Sequence, residues 1–173
     1  MNDSSKLSRM ALESGAIRLS PEKPFTWASG YKMPIYNDNR LLLGKAEYRS
    51  FIAQIFAKYS EASVDNVDVI AGTATAGIPH ATTLADRLSK PLIYVRATTK
   101  SHGMGNQIEG PLVPGQKVLL IEDLISTGGS AINAVNAIRE VGGIVENCFC
   151  IFTYGFIEAR QRFDKINCQY DSI

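Results

Sequence analysis

The sequence predicts an α/β protein in which a mostly parallel sheet is covered by helices on both faces. From Val67 onward, hydrophobic strand-like runs alternate with helical segments, and such alternation requires crossover connections between parallel strands. The 173 residues fit a single domain, residues 1–173, with enough chain to bury a core without disulfides. Eighteen basic and seventeen acidic side chains give a net charge of +1, so no overall field attracts nucleic acid or a membrane.

The first part of the chain predicts small elements rather than crossover units. Residues 6–14 predict a short helix that ends at Gly15, and residues 25–36 alternate and turn like a small antiparallel patch. Residues 45–59 place Phe51 and Phe56 at helical spacing, which predicts an amphipathic helix. The polar start of the chain lacks the apolar region of a secretory signal.

The remainder predicts four strands, with ligands expected at their carboxyl ends, as in other open parallel sheets. The strands are predicted at residues 67–71, 91–95, 117–121 and 145–152, and the helices at residues 77–88, 128–141 and 157–163. Cys148 and Cys150 would point to one face of the fourth strand, which is poor disulfide geometry. With Cys168 they make an odd number, so we expect buried reduced thiols and a cytoplasmic protein.

The third strand ends in two adjacent acids, Glu122 and Asp123, followed by a Ser-Thr-Gly-Gly-Ser loop at residues 126–130. Backbone N–H groups at a helix start, with glycines that allow close approach and hydroxyls in reach, form a cradle for an anion. The carboxylates cannot favour that phosphate, but they can accept hydrogen bonds from sugar hydroxyls. A phosphate site beside a diol site predicts a ribose 5-phosphate ligand; the alternative is that Ser126 only caps the helix.

The loop after the first strand is also rich in small residues. Taken alone, a tight strand-to-helix turn would explain it, because glycine there serves packing. Beside the end of the third strand, it predicts a second phosphate site, suited to pyrophosphate. This pyrophosphate loop comprises Thr73, Ala74, Thr75, Ala76 and Gly77. We expect His80, near the helix start, to be structural.

A long polar segment, residues 97–114, follows the second strand and is typical of a lid. Three groups that can face an anion lie here: Arg96 immediately before the segment, and Lys100 and His102 within it. The alternative is a solvated surface loop with scattered charges.

Residues 118–130 resemble the phosphoribosyl pyrophosphate signature of type I phosphoribosyltransferases: hydrophobic residues, two acids, two hydrophobic residues, then a Thr-Gly-Gly-Ser loop. Lys-x-His-Gly at residues 100–103, followed by Asn-Gln-Ile-Glu-Gly at residues 106–110, resembles the catalytic loop of orotate phosphoribosyltransferases. Residues 25–30, 35–40 and 72–80 are similar to that family too, and the resemblance extends over about residues 14–154.

The resemblance implies a three-layer type I phosphoribosyltransferase fold, to which residues 1–44 contribute a small hood over the base. It implies a Mg²⁺-dependent transfer of ribose 5-phosphate from phosphoribosyl pyrophosphate to orotate, in pyrimidine biosynthesis, by a homodimer whose sites are shared across the interface. Lys100, Asp123, Glu122 and His102 would be catalytic, and Ser126 would lie beside orotate. Phosphoribosyl pyrophosphate would contact Arg96, Lys100, His102, Glu122, Asp123, Leu124, Ile125, Ser126, Thr127, Gly128, Gly129 and Ser130. No residue is assigned as a metal ligand.

The chain departs from the family pattern in two places. Relatives carry a further lysine soon after the arginine, where this chain has residues 97–99, Ala-Thr-Thr, so pyrophosphate binding is expected to be weaker or supported from elsewhere. The chain also ends at Ile173, earlier than expected for the family.

Two other functions compete with this interpretation. A purine phosphoribosyltransferase shares the signature at residues 118–130, but has no reason to carry the Lys-x-His-Gly segment or the segment around Trp27. A regulator that senses phosphoribosyl pyrophosphate while gripping nucleic acid would call for a basic face, which a net charge of +1 does not supply.

Overall fold

A computed structural model describes residues 2–27, 30–63, 66–98 and 107–173. The chain divides into two units, Met1–Arg49 and Ser50–Ile173. Whether the chain acts as the single domain expected from its length stays a prediction. Within the described residues, no helix is long and apolar enough to cross a membrane.

The first unit contains a helix and two small antiparallel pairs. Helix α1 (Asp3–Glu13) begins where the Asn2 side chain accepts a hydrogen bond from the Ser5 N–H at 2.8 Å. Strand β1 (Ile17–Leu19) pairs with β4 (Ile35–Asn37), and β2 (Phe25–Thr26) pairs with β3 (Lys32–Met33). A 3₁₀ helix (Asn39–Gly44) follows. The predicted antiparallel patch is confirmed.

The second unit is built on a six-stranded sheet in the order β10-β9-β8-β5-β6-β7, parallel except for β7. This confirms the predicted fold class of a mostly parallel sheet with flanking helices. Its strands are β5 (Val69–Thr73), β6 (Leu92–Val95), β7 (Ile108–Glu109), β8 (Lys117–Ile125), β9 (Ile144–Thr153) and β10 (Gln169–Ser172). Its helices are α3 (Gly77–Leu88), α4 (Gly129–Glu140) and α5 (Ile157–Lys165), while α2 (Ala46–Ser63) begins in the first unit.

The central strands are buried because helices cover both faces of the sheet. On one face, Gly72 lies so close to α3 that a Cβ there would be 2.9 Å from the Ala81 side chain. On the other face, apolar residues of α4, such as Val135, pack with Ala71 and Leu120 in one core cluster. The three cysteines are free and buried in this same cluster, as the sequence predicts.

The structure extends one predicted strand and adds two strands that the sequence did not predict. Strand β8 does not end before the acids but continues through Glu122 and Asp123 to Ile125, paired with β9. Strand β7 lies within the segment expected to be a loop; its two residues are too few to show a period. Strand β10 follows α5, where the sequence suggested no element, and only Tyr170 among its four residues is fully buried.

Gly77 provides a test of close packing at the start of α3. A Cβ at this position would lie 2.5 Å from the Thr73 hydroxyl oxygen and 2.6 Å from the Ile121 carbonyl oxygen. Since the carbonyl belongs to a central strand and cannot move aside, we expect Gly77→Ala to lower the free energy of unfolding by about 1–3 kcal/mol. Gly44→Ala is the control, because nothing lies within 4 Å of its added Cβ. Equal unfolding midpoints in urea for the two variants would contradict the expectation.

Candidate active site

The predicted loops follow the carboxyl ends of β5, β6 and β8, so they lie together at one end of these parallel strands. The Thr73 hydroxyl, at the end of β5, donates to the Ile121 carbonyl of β8 at 3.3 Å. The Ala74 N–H donates to the Val95 carbonyl, the last residue of β6, at 2.8 Å. Two sequence-predicted segments, residues 73–77 and residues 122–130, are therefore neighbours.

The loop after β8 has the geometry of an anion cradle. Gly128 adopts φ +81°, which glycine alone adopts without strain, and a Cβ there would lie 2.9 Å from the Phe163 ring. Gly128 is the N-cap residue of α4, and no side-chain hydrogen bond from the described residues caps the helix there. Arg162 of α5 donates to the Thr127 carbonyl at 3.1 Å, which links the loop to α5. The N–H groups of the first turn are thus available to an anion.

Two hydrophobic residues of the predicted phosphoribosyl pyrophosphate segment differ in their exposure. Leu124 is half-buried, whereas Ile125 is buried in the core cluster, and its carbonyl accepts the Tyr154 N–H at 3.2 Å. The Ile125 side chain therefore supports the strand from within the core.

The pyrophosphate loop, residues 73–77, is a tight turn with little side-chain bulk. It includes a cis peptide bond between Ala74 and Thr75. Ala76 is the N-cap residue of α3, and it makes no side-chain hydrogen bond to the helix. This helix therefore also presents backbone N–H groups at the carboxyl end of β5. His80 is buried in the next turn of α3, at 1% exposure.

The two acids lie in different surroundings because they alternate on β8. Asp123 is half-buried, but Glu122 is only 4% exposed, on the face covered by α4. The Glu122 carboxyl accepts the Asp123 N–H at Oε1 and the Ser130 hydroxyl at Oε2, both at 3.0 Å. Burial, with a smaller contribution from Asp123, raises the pKa of Glu122 from 4.5 to about 7, although the Thr73 hydroxyl lowers it.

The raised pKa predicts how stability depends on pH. Folded Glu122 holds its proton more tightly than the unfolded chain does, so protonation of Glu122 stabilises the folded state. This contribution to the free energy of unfolding is complete below about pH 4.5 and is lost as the pH rises through about 7. Glu122→Gln cannot ionise, so its free energy of unfolding should fall less than that of the wild type between pH 5 and 8, by at most about 3 kcal/mol.

Urea titrations across this pH range measure the difference. Glu146→Gln, which removes an exposed carboxylate from β9, is the control for the change in net charge. Parallel pH curves for wild type and Glu122→Gln would show that Glu122 keeps its ordinary pKa.

Arg96 follows β6 and is held by two residues for which the sequence suggested no role. Its guanidinium lies 3.6 Å from the Glu109 carboxylate. Its N–H donates to the Gln107 carbonyl at 2.9 Å, and the Gln107 amide donates back to the Arg96 carbonyl at 2.8 Å. In the sequence, Gln107 and Glu109 belong to the Asn-Gln-Ile-Glu-Gly segment. That segment indicated the family, but it did not indicate that these two residues would contact Arg96. Lys100 and His102 lie outside the described residues.

The segment expected to form the hood lies in the first unit and contains an aromatic pair with a cation. The Phe25 and Tyr36 rings are 5.6 Å apart, and the Arg18 guanidinium lies 5.1 Å from the Tyr36 ring centre. The Trp27 indole N–H donates to the Ile35 carbonyl at 3.1 Å and links the residue that follows β2 to the first residue of β4.

The donor set at the sheet edge fits Mg²⁺ that arrives with a substrate. The described residues contain no group of three or more histidine, cysteine or acidic side chains that could hold an ion. Mg²⁺ prefers oxygen ligands and is often held by substrate phosphates with few protein groups. The side chains here offer carboxylate and hydroxyl oxygens as possible metal ligands. A substrate that brings its own phosphate oxygens to Mg²⁺ would need only a few of them.

Comparison with known proteins identifies the class that this fold and site define. Residues 42–169 match the family model of the phosphoribosyl transferase domain. The chain is 51% identical to the orotate phosphoribosyltransferase of Listeria innocua, over 96% of this chain and 80% of that protein. It is 50% identical to the orotate phosphoribosyltransferase of Bacillus pumilus, over 95% of this chain and 78% of that one.

A solved structure of an orotate phosphoribosyltransferase has the same fold as this chain. The crystal structure of orotate phosphoribosyltransferase from Aeropyrum pernix superposes with a TM-score of 0.84 at 29% identity, covering 96% of this chain and 91% of that one. The chain therefore belongs to the orotate phosphoribosyltransferases, within the phosphoribosyl transferase family.

Proposed function

We propose that this protein transfers ribose 5-phosphate from phosphoribosyl pyrophosphate to orotate, giving orotidine 5′-phosphate and pyrophosphate in pyrimidine biosynthesis. The observation that carries the proposal is the loop of residues 126–130, which directly follows β8, the strand that carries the half-buried Asp123 near its carboxyl end, and leads into α4 at Gly128 without a side-chain cap. A phosphate cradle beside a carboxylate suits a sugar phosphate. The membership of the chain in the family supports orotate as the acceptor.

In the proposed reaction, the bond between the anomeric carbon and pyrophosphate breaks while a ring nitrogen of orotate attacks that carbon. Negative charge grows on the departing pyrophosphate, and positive charge grows on the ribose. Arg96, Lys100 and His102 would stabilise the pyrophosphate, together with the N–H groups of residues 73–77. Bound Mg²⁺ would add charge neutralisation at the same oxygens.

Asp123 would accept hydrogen bonds from the ribose hydroxyls and place a negative charge near the cationic sugar. The hydroxyls and N–H groups of residues 126–130 would hold the 5′-phosphate, and Ser126 would lie beside orotate. The segment that includes Phe25 and Tyr36 would contribute to the hood over the base. No side chain needs to act as a nucleophile, because the base attacks directly.

The assembly and location of the protein are part of the proposal. A homodimer would share each site between two chains, with Lys100 of one chain serving the site of its neighbour, and it would work in the cytoplasm. Binding of nucleic acid is not expected at a net charge of +1.

A single assay tests the proposed activity. Purified protein is mixed with orotate, phosphoribosyl pyrophosphate and Mg²⁺, and the loss of orotate is followed by its ultraviolet absorbance. Adenine, guanine and hypoxanthine replace orotate in parallel reactions. Consumption of a purine but not of orotate would overturn the proposal in favour of a purine enzyme, and binding of phosphoribosyl pyrophosphate without any turnover would favour a regulator.

A further inference from the structure

Arg162 of α5 lies against the loop that would hold the 5′-phosphate. Its Nη1 donates to the Thr127 carbonyl at 3.1 Å. A Cβ on Gly129 would lie 3.9 Å from both Nη1 and Nη2 of this side chain. The next residue of α5, Phe163, lies against Gly128, where an added Cβ would be 2.9 Å from the ring. The guanidinium is therefore held beside the loop, although 40% of the side chain is exposed.

The Thr127 carbonyl belongs to the same peptide group as the Gly128 N–H. This peptide is trans, so its carbonyl and its N–H point in opposite directions. Arg162 donates on the carbonyl side, and the N–H faces the other side. Among the residues that the structure describes, the Gly128 N–H meets no hydrogen-bond acceptor. This donor is thus left for a ligand at the start of α4.

A cation that donates to the Thr127 carbonyl changes the other end of the peptide group. Hydrogen bonds in a chain polarise one another, so the Gly128 N–H becomes a stronger donor. The positive charge of Arg162 also attracts an anion bound at the loop, because protein on one side of the guanidinium reduces the screening by water. Both effects tighten the binding of a phosphate.

The other contacts of Arg162 offer a purely structural role. It forms an ion pair with Glu158, one helical turn earlier, at 3.7 Å. It also lies in the last turn of α5, where a cation offsets the negative end of the helix dipole. Exposed pairs of this kind contribute little to stability, and neither contact requires the guanidinium to reach Thr127.

We propose that Arg162 is a positioning residue for the sugar phosphate, which strengthens the Gly128 N–H through the Thr127 carbonyl and adds a positive charge beside the loop. This inference rests on the sugar-phosphate site of the proposed function and gives α5 a part in it. The ligand group concerned is the phosphate monoester, since the loop expected to bind pyrophosphate follows β5 instead.

Binding of ribose 5-phosphate to the folded protein, measured by calorimetry, tests the inference. We expect Arg162→Gln to weaken binding by roughly fivefold, about the difference between a charge-assisted and a neutral hydrogen bond. Arg162→Lys, which keeps the charge, should restore most of this loss.

Arg160→Gln is the matched control, because it removes the same charge from the same helix. The Arg160 guanidinium lies 4.4 Å from the centre of the Tyr170 ring and donates to the Tyr170 carbonyl at 3.3 Å, so it is engaged with β10. We expect its affinity for ribose 5-phosphate to stay within about twofold of the wild type, as for most surface substitutions.

Two NMR signals test the path of the effect. The Gly128 amide proton should shift downfield when ribose 5-phosphate binds, and it should shift less in Arg162→Gln, because a weaker donor makes a weaker hydrogen bond. The phosphorus resonance reports the second ionisation of the phosphate, which has a pKa of about 6 in a free monoester. This pKa should be lower for ligand bound to the wild type than to Arg162→Gln, since a nearby cation favours the dianion.

Three results would overturn the inference: equal affinity of wild type and Arg162→Gln for ribose 5-phosphate, an equal loss of affinity in Arg160→Gln, or a lowered melting temperature of Arg162→Gln with both NMR signals unchanged. If Arg162→Gln does not fold, Arg162→Met takes its place under the same expectations, because it keeps a long side chain without the charge. Wild-type protein whose binding of ribose 5-phosphate depends on Arg162 but which does not consume orotate would refute the proposed reaction and leave the inference standing. Turnover of orotate with affinities that do not depend on Arg162 would do the reverse.

Discussion

Replacing Asp123 with asparagine is expected to lower kcat by roughly ten- to a thousandfold, the range seen when one preorganised electrostatic contact is lost. The substitution keeps the volume of the side chain and removes the charge that would face the cationic ribose. Asp123 is half-buried at the edge of the sheet, so its charge is less screened by water than that of a surface acid.

Steady-state kinetics with orotate and phosphoribosyl pyrophosphate measure this effect. Asp86→Asn is a matched control, since Asp86 is exposed and lies near the carboxyl-terminal end of α3, the opposite end from the pyrophosphate loop. We expect its kcat to stay within about twofold of the wild type, as for most surface substitutions. Full turnover in Asp123→Asn would remove Asp123 from the mechanism.

Lys100→Ala is expected to have the second large effect, a fall in kcat of roughly a hundredfold, because an ammonium group would no longer neutralise the departing pyrophosphate. This expectation rests on the Lys-x-His-Gly segment of the sequence. The melting temperature of the variant is measured alongside its kinetics. A marked fall in melting temperature would show that Lys100 serves the fold rather than the reaction.

The same two variants test whether sites are shared between chains. In the proposed homodimer, each site combines Lys100 of one chain with Asp123 of the other. When Lys100→Ala and Asp123→Asn proteins exchange subunits at random, half of the dimers are mixed, and each mixed dimer holds one site with both native groups. Activity should recover to about a quarter of the wild type. No recovery after proven exchange would mean that residue 100 serves its own chain.

The loops of the site were predictable because their chemistry is local. Small residues and hydroxyls between a buried strand and a helix predict an anion cradle wherever they occur, and residues 126–130 follow β8 as expected. The end of β8 itself was placed too early, since the prediction followed the apolar run and stopped at Glu122. A strand can carry an acid inside when the covering helix supplies a partner, here the Ser130 hydroxyl.

The links between segments were not predictable from the sequence. The bond between Ser130 and Glu122, and the contacts of Arg96 with Gln107 and Glu109, join residues whose approach depends on the finished sheet. Strand β7 is two residues long, so no periodicity could have shown that Glu109 would lie beside Arg96. The type of ligand group at the ends of strands can thus be predicted from the sequence, whereas the contacts that hold these groups in place depend on the three-dimensional structure.

Burial protects the free thiols of Cys148 and Cys150 in β9 and of Cys168 just before β10 from chemical modification. Burial raises the pKa of Cys148 and Cys150 well above the usual range, and that of Cys168 to about 11. Because the thiolate is the form that oxidants and alkylating reagents attack, all three sulfurs are nearly inert at neutral pH while the sheet is intact. Oxidation of these thiols therefore requires local opening of the sheet around β9 and β10, so its rate reports the free energy of that opening.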